Sequence, residues 1–133
     1  MTYKVSTDFN EQLYYKIAKQ SGSKQARDDV KLTRFLINKH PGDVITLHIE
    51  DEAFLIALKS SVRIRLYGMA TAEDKKRQNR GGHLLKCLYG IAFKAGLSEI
   101  YTKTIEGVPF YLSKGFVITG KNERGEYILT KRL

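Results

Sequence analysis

At His40-Pro41-Gly42-Asp43 the hydrophobic period of this chain changes, and that change limits the fold more than any other feature. Upstream, apolar residues recur at helical spacing. Leu13, Tyr14, Ile17 and Ala18 mark a helix over Asn10 to Lys19, with Asp8 as its N-cap. Ser21-Gly22-Ser23 breaks that helix, and Val30, Leu32, Phe35 and Leu36 mark a second one from Lys24 to Asn38. Downstream the period falls to two. Val44, Thr46, His48 and Glu50 alternate with Ile45, Leu47 and Ile49, then Glu50-Asp51-Glu52 turns the chain. Ala53 to Leu58 is continuously apolar and Val62 to Ala70 alternates again, so this region predicts a three-stranded antiparallel meander.

Helix spacing returns once the meander ends. Leu84, Leu85, Leu88, Ile91, Ala92 and Ala95 share one face, and Gly96 closes the helix. Ser98 to Lys103 reads as a strand, Gly107 to Ser113 as a short helix stopped at Lys114-Gly115. Phe116 to Thr119 and Tyr127 to Thr130 read as strands joined by the Lys121 to Gly125 turn. With a short strand at Tyr3 to Ser6, the predicted order is β-α-α-β-β-β-α-β-α-β-β. This is an α+β class with helices covering a mixed, mostly antiparallel sheet, in one domain over residues 1–133.

Several function classes drop out on composition. No apolar run reaches the length of a membrane span, and Met1 to Val5 lacks the plan of a signal peptide. A lone cysteine, Cys87, forms no internal disulfide, so the reducing cytoplasm is the expected compartment. His40, His48 and His83 lack metal-ligand spacing, and no metal is expected. The formal net charge is +9, with a dense knot at Lys75-Lys76-Arg77-Gln78-Asn79-Arg80. Such charge suits a polyanionic ligand, an acidic macromolecule or RNA, and equally serves solubility alone.

The knot has a specific setting. A strand (Val62 to Ala70) runs into a basic loop, Lys76-Arg77-Gln78-Asn79-Arg80-Gly81-Gly82, and the loop opens a helix near Gly82-His83. The free N–H groups of a helix start, its dipole and a closely approachable glycine backbone together suit a phosphate. The other reading is a tight turn on a solvated face. The stretch from Arg65 to Phe116 resembles the core of the GNAT superfamily of N-acetyltransferases, whose pyrophosphate loop reads Gln/Arg-x-x-Gly-x-Gly/Ala. Counting back from Gly96, the pattern falls on Lys76, Asn79 and Gly81, with Leu84 and Leu85 on the usual leucine pair. Lys76 and Asn79 depart from it, the latter mildly, because asparagine tolerates positive φ. A second register uses Gln78, Gly81 and His83.

The segment Gly107-Val108-Pro109-Phe110-Tyr111-Leu112-Ser113-Lys114-Gly115-Phe116 resembles a second GNAT element, Ala-x-x-Phe-Tyr-x-x-x-Gly-Phe. The resemblance implies acetyl-CoA as cosubstrate. Tyr111 would be the general acid that protonates the departing thiolate, and a phenol suits that task. Without the flanking pattern, Tyr111 reads as a core aromatic. The resemblance places the cofactor on Met69, Ala70 and Thr71, whose backbone faces the thioester oxygen, and on the loop from Lys76, Arg77, Gln78, Asn79 and Arg80 to Gly81, Gly82 and His83. Thr104 stands where many members hold the pantetheine arm with an asparagine.

For deprotonation, the strand entering the site offers Arg63, Arg65 and Tyr67 but no carboxylate. Glu50, Asp51, Glu52 and Glu106 remain as bases, and Tyr67 as the holder of a water. The expected reaction is direct acetyl transfer to a primary amine: a small amine, a protein lysine or N-terminus, or aminoacyl-tRNA. The acceptor and any second copy of the chain stay open. The alternative is a GNAT-like module, catalytically weak or inactive, that binds nucleic acid or an acidic protein through its basic surface.

Overall fold

Polar caps start the first two helices. Asn10 accepts a hydrogen bond from the Leu13 amide at 3.1 Å and opens α1 (Glu11–Ser21). Asn10, rather than Asp8, is the cap because it directly precedes the first helical turn, where its side chain reaches the orphan amide. Ser23 does the same for the Ala26 amide at 3.0 Å and opens α2 (Lys24–Lys39). The structure, a computed structural model, describes residues 4–72 and 79–133. Lys75, Lys76, Arg77 and Gln78 of the basic knot therefore lie outside the described residues.

After α2 the chain forms β1 (Val44–Ile49), β2 (Ala53–Lys59) and β3 (Ile64–Thr71), the antiparallel meander that the change of period predicts. Helix α3 (Arg80–Lys94), β4 (Glu99–Thr104), α4 (Val108–Ser113), β5 (Val117–Lys121) and β6 (Tyr127–Arg132) follow. They complete a six-stranded sheet in the order β1-β2-β3-β4-β6-β5. Every neighbouring pair is antiparallel except β3 and β4. The strand expected at Tyr3 to Ser6 shrinks, among the described residues, to one bridge between Ser6 and His48. The chain turns away there into the α1 cap.

Alternation along β2 divides the core into two layers. Ala53, Leu55 and Ala57 face α3 and pack with Leu84, Leu85, Leu88 and Ala92. Phe54 and Ile56 face the other way, onto Tyr14, Ile17 and Ala18 of α1 and Ala26 and Val30 of α2. Because β2 is covered on both faces, it reads as an unbroken apolar run. Tyr14 stacks on Phe54 with ring centroids 4.9 Å apart and lies 3.1 Å from His48 Nδ1 through its hydroxyl. Tyr14 is therefore a core residue. Burial of Phe54 is worth about 3–5 kcal/mol on truncation to alanine.

Candidate active site

One irregularity opens the sheet. The register between β2 and β3 shifts so that Ile56 faces Gly68 while Ala57 faces Leu66, which leaves Tyr67 unmatched. Such a bulge bends its strand and re-aims the residues beyond it. Leu66 packs with the α3 layer, yet Gly68 lies against Asp29 of α2 on the opposite face. The parallel pairing of β3 with β4 covers only Ile64–Ile100, Arg65–Tyr101 and Leu66–Thr102. Past that point β3 runs on to Thr71 along β2 and β4 to Thr104 along β6 without pairing with each other, so the two strands fork. The Thr102 hydroxyl donates to the Leu66 carbonyl at 2.8 Å and closes the base of the fork.

A cavity of about 630 Å³ occupies the fork. Gly68, Met69, Ala70 and Thr71 line it from β3, and Thr104 lines it from β4. Asn79, Gly81 and Gly82 line it from the start of α3, and Phe110, Tyr111, Ser113 and Lys114 from α4. Ser21, Gly22, Ser23, Gln25, Ala26 and Asp29 contribute the wall on the α1–α2 side. The resemblance named Met69, Ala70, Thr71, Asn79, Gly81, Gly82, Thr104 and Tyr111, and the structure brings these together. Arg80 and His83 are not among the residues lining the cavity.

The α3 end is built for close approach of an anion. Asn79 sits at φ 55°, the left-handed conformation that asparagine tolerates, and turns the chain into the helix. His83 makes the first intrahelical bond, to the Asn79 carbonyl at 3.0 Å, so the amides of residues 80–82 precede the ladder. A β-carbon on Gly82 would stand 2.2 Å from Asn79 Oδ1 and 2.9 Å from Lys114 Nζ. The missing side chain lets the Asn79 carboxamide and the Lys114 ammonium close over the first turn, while Asn79 caps none of its amides through its side chain. Lys114 donates to Asn79 Oδ1 at 2.9 Å and brings an exposed ammonium to the same mouth. Arg80 differs from its expected role: it is buried and donates through Nη2 to Glu52 Oε1 at 3.0 Å, in an ion pair with that carboxylate. It anchors α3 to the β1–β2 turn, where burial without a partner would be costly.

Tyr111 is buried in α4, between Phe110 and Phe116 with ring centroids at 5.3 and 5.2 Å. Burial pushes its phenol well above the ordinary value, and the Thr102 side chain offsets part of that rise. The phenol therefore keeps its proton throughout the neutral range. Thr104 is engaged locally: its hydroxyl donates to Gln25 Oε1 at 3.2 Å and accepts from the Gly107 amide at 2.9 Å. Its place is to tie β4 to α2 and to the start of α4.

The candidates for the base separate. Glu50 and Asp51 are exposed on the β1–β2 turn, and Glu52 pairs with Arg80. Tyr67 does not line the cavity; the Arg65 guanidinium stacks 4.1 Å above its ring. Glu106 does line it and accepts from the Ser23 hydroxyl. The carboxylate that the sequence did not reveal is Asp29. It lines the fork, and burial raises its pKa to about 8, with Arg65 opposing the shift. In Arg27-Asp28-Asp29 it looks like part of a solvated helix face, and only the bulge at Tyr67 shows what it meets.

No protein-family profile and no curated protein matches the chain. Solved structures match along its whole length. PaiA N-acetyltransferase of Thermoplasma acidophilum, in complex with coenzyme A, superposes with a TM-score of 0.80 at 15% identity, covering 100% of both chains. A GNAT-family protein of Desulfovibrio desulfuricans gives 0.78 at 15%, covering 99% of this chain and 98% of that one. This is the GNAT fold. An aminoglycoside 6'-N-acetyltransferase complexed with coenzyme A gives 0.74 at 12%, covering 97% and 96%. The GNAT architecture accounts for the mixed sheet, with its one parallel pair at the fork. Among the described residues, no group of three or more His, Cys, Asp or Glu could hold a metal, and no helix is long and apolar enough to cross a membrane.

Proposed function

We propose that this protein is an acetyl-CoA-dependent N-acetyltransferase that joins the acetyl group to a primary amine in a ternary complex. One observation carries the reading: the fork between β3 and β4 is bounded by a glycine-lined helix start without a side-chain cap on one side and by a buried, protonated phenol on the other. The two features sit in one cavity, as thioester chemistry on a phosphate-anchored substrate requires.

In this reading the amides at Gly81 and Gly82, with Lys114, hold the pyrophosphate. The β4-facing edge of Met69 to Thr71, beyond the end of the β3–β4 pairing, supplies a backbone donor to the thioester oxygen as charge develops there. Tyr111 gives its proton to the departing sulfur. The outer part of the pyrophosphate loop, Lys76, Arg77 and Gln78, belongs to the same site by the spacing of the sequence. Structures of similar fold that hold coenzyme A support the choice of cosubstrate. The half-buried single thiol, Cys87, fits a reducing compartment, and we place the protein in the cytoplasm. A panel of primary amines, incubated with acetyl-CoA and read by release of free thiol, tests the reading. Amine-dependent thiol release supports it. A folded protein that binds acetyl-CoA but releases no thiol with any amine contradicts it.

A further inference from the structure

We propose that Asp29 is the base of this transfer, taking a proton from the acceptor's ammonium group at the open end of the fork. The assignment rests on the acetyltransferase reading and adds the one role that reading leaves unfilled.

Helix α2 lies across the fork. Gln25 donates to the Lys103 carbonyl at 3.2 Å and accepts from Thr104, which ties the helix to the end of β4. Asp29 is one turn further along the same helix face and reaches the other prong, β3. A β-carbon at Gly68 would stand 2.2 Å from Asp29 Oδ2, so only glycine lets the carboxylate press against the β3 backbone there. That oxygen is buried and has no hydrogen-bond partner among the described residues. A buried, unpartnered carboxylate oxygen is costly and calls for a function. It lines the same cavity as Tyr111 and the α3 start.

The charged surroundings suit a proton acceptor. Among the described residues, Arg65 on β3 is the cation acting on Asp29; Asp28 on its own helix, Glu126 before β6 and Glu106 before α4 oppose it. Tyr111 of α4 feels the Asp29 charge in turn. Burial and these carboxylates lift the group to about 8. An alkylammonium has a pKa of about 10.4, so such a carboxylate is a far better match for its proton than an ordinary aspartate at about 3.9.

The protons balance. Asp29 takes one proton from the ammonium, and the free amine attacks the thioester carbon, forming the C–N bond. The C–S bond then breaks, and the Tyr111 phenol proton goes to sulfur. The resulting phenolate takes the second nitrogen proton, which restores Tyr111. Asp29 passes its proton to solvent, so each turnover releases one proton.

The test uses n-butylamine and trialanine as acceptors, with wild type, Asp29→Asn and Asp29→Glu. Titration with acetyl-CoA and thermal melts accompany the rates. The expected results are unchanged acetyl-CoA affinity and a rate about 100-fold lower at pH 7 for Asp29→Asn. Partial rescue is expected for Asp29→Glu. The wild-type rate should rise with pH to a plateau with its midpoint near 8, and Asp29→Asn should lose that step and approach wild type above pH 10. Wild-type turnover with Asp29→Asn keeping both rate and profile would overturn the assignment. A wild type that binds no acetyl-CoA would overturn the acetyltransferase reading itself.

Discussion

Gly82→Ala separates the role of the α3 start in folding from its role in binding. Gly82 lies in the first turn of the helix and takes no positive φ, so alanine fits the backbone. Replacing glycine by alanine inside a helix gains about 1 kcal/mol. Against this, the new methyl would stand 2.2 Å from Asn79 Oδ1, so the amide must swing aside and release Lys114, 2.9 Å away. That exposed hydrogen bond is worth about 0.5–1.5 kcal/mol. The two effects nearly cancel, and Tm should stay within a few degrees of wild type. Binding does not cancel. The methyl covers the amides that would face the pyrophosphate, and the displaced Asn79 and Lys114 no longer frame them. Loss of one charge-assisted contact of about 1.5–3 kcal/mol lowers acetyl-CoA affinity roughly 10- to 150-fold. Thermal melts and calorimetric titration of the purified variant give both quantities. An unchanged Tm with unchanged affinity would refute the view that the glycine-lined start of α3 is the phosphate site.

Three further outcomes follow from the same structure. Tyr111→Phe should lower kcat about 100-fold or more while acetyl-CoA affinity holds, as loss of a general acid demands; equal turnover would remove Tyr111 from the chemistry. Arg80→Ala should destabilise the fold by about 2–3 kcal/mol in urea unfolding, somewhat below the range for a fully buried pair, because side-chain exposure is 6% for Arg80 and 25% for Glu52. A loss under about 0.5 kcal/mol would show that the pair does not anchor α3. His48 is held below its ordinary pKa chiefly by burial, with Asp8 and Glu50 opposing, so the folded state binds its proton less readily than the unfolded chain. His48 therefore lowers stability as pH drops through about 6.5, against the rise that the raised pKa of Asp29 gives over the same range, and His48→Gln should leave a steeper rise toward low pH than wild type shows in melts between pH 7.5 and 5.

Much of the fold was legible because period and punctuation agree. Helix-period residues precede His40-Pro41-Gly42-Asp43 and strand-period residues follow it, and α2, β1, β2 and β3 fall within a few residues of those signals. The start of α3, the α4 element with Tyr111 and the positive φ of Asn79 were also readable, since each has a local sequence pattern. The missed features depend on contacts between distant segments. Nothing local distinguishes Asp29 from Asp28; the bulge at Tyr67 and the space left by Gly68 decide which one meets β3. Arg80 looked like a phosphate ligand because its neighbours are basic and glycine-rich. Its pairing with Glu52 on the β1–β2 turn is a tertiary fact. Lys114 has no local mark within the α4 motif, and only packing of α4 beside α3 shows its ammonium at the mouth.

The central claim is that the fork between β3 and β4 is a coenzyme A site. Calorimetric titration of the protein with acetyl-CoA tests this most directly. The account predicts saturable binding of one acetyl-CoA per chain in the micromolar range, weakened by Gly82→Ala and unaffected by Tyr111→Phe. No measurable heat at millimolar acetyl-CoA, with the protein folded, would contradict it.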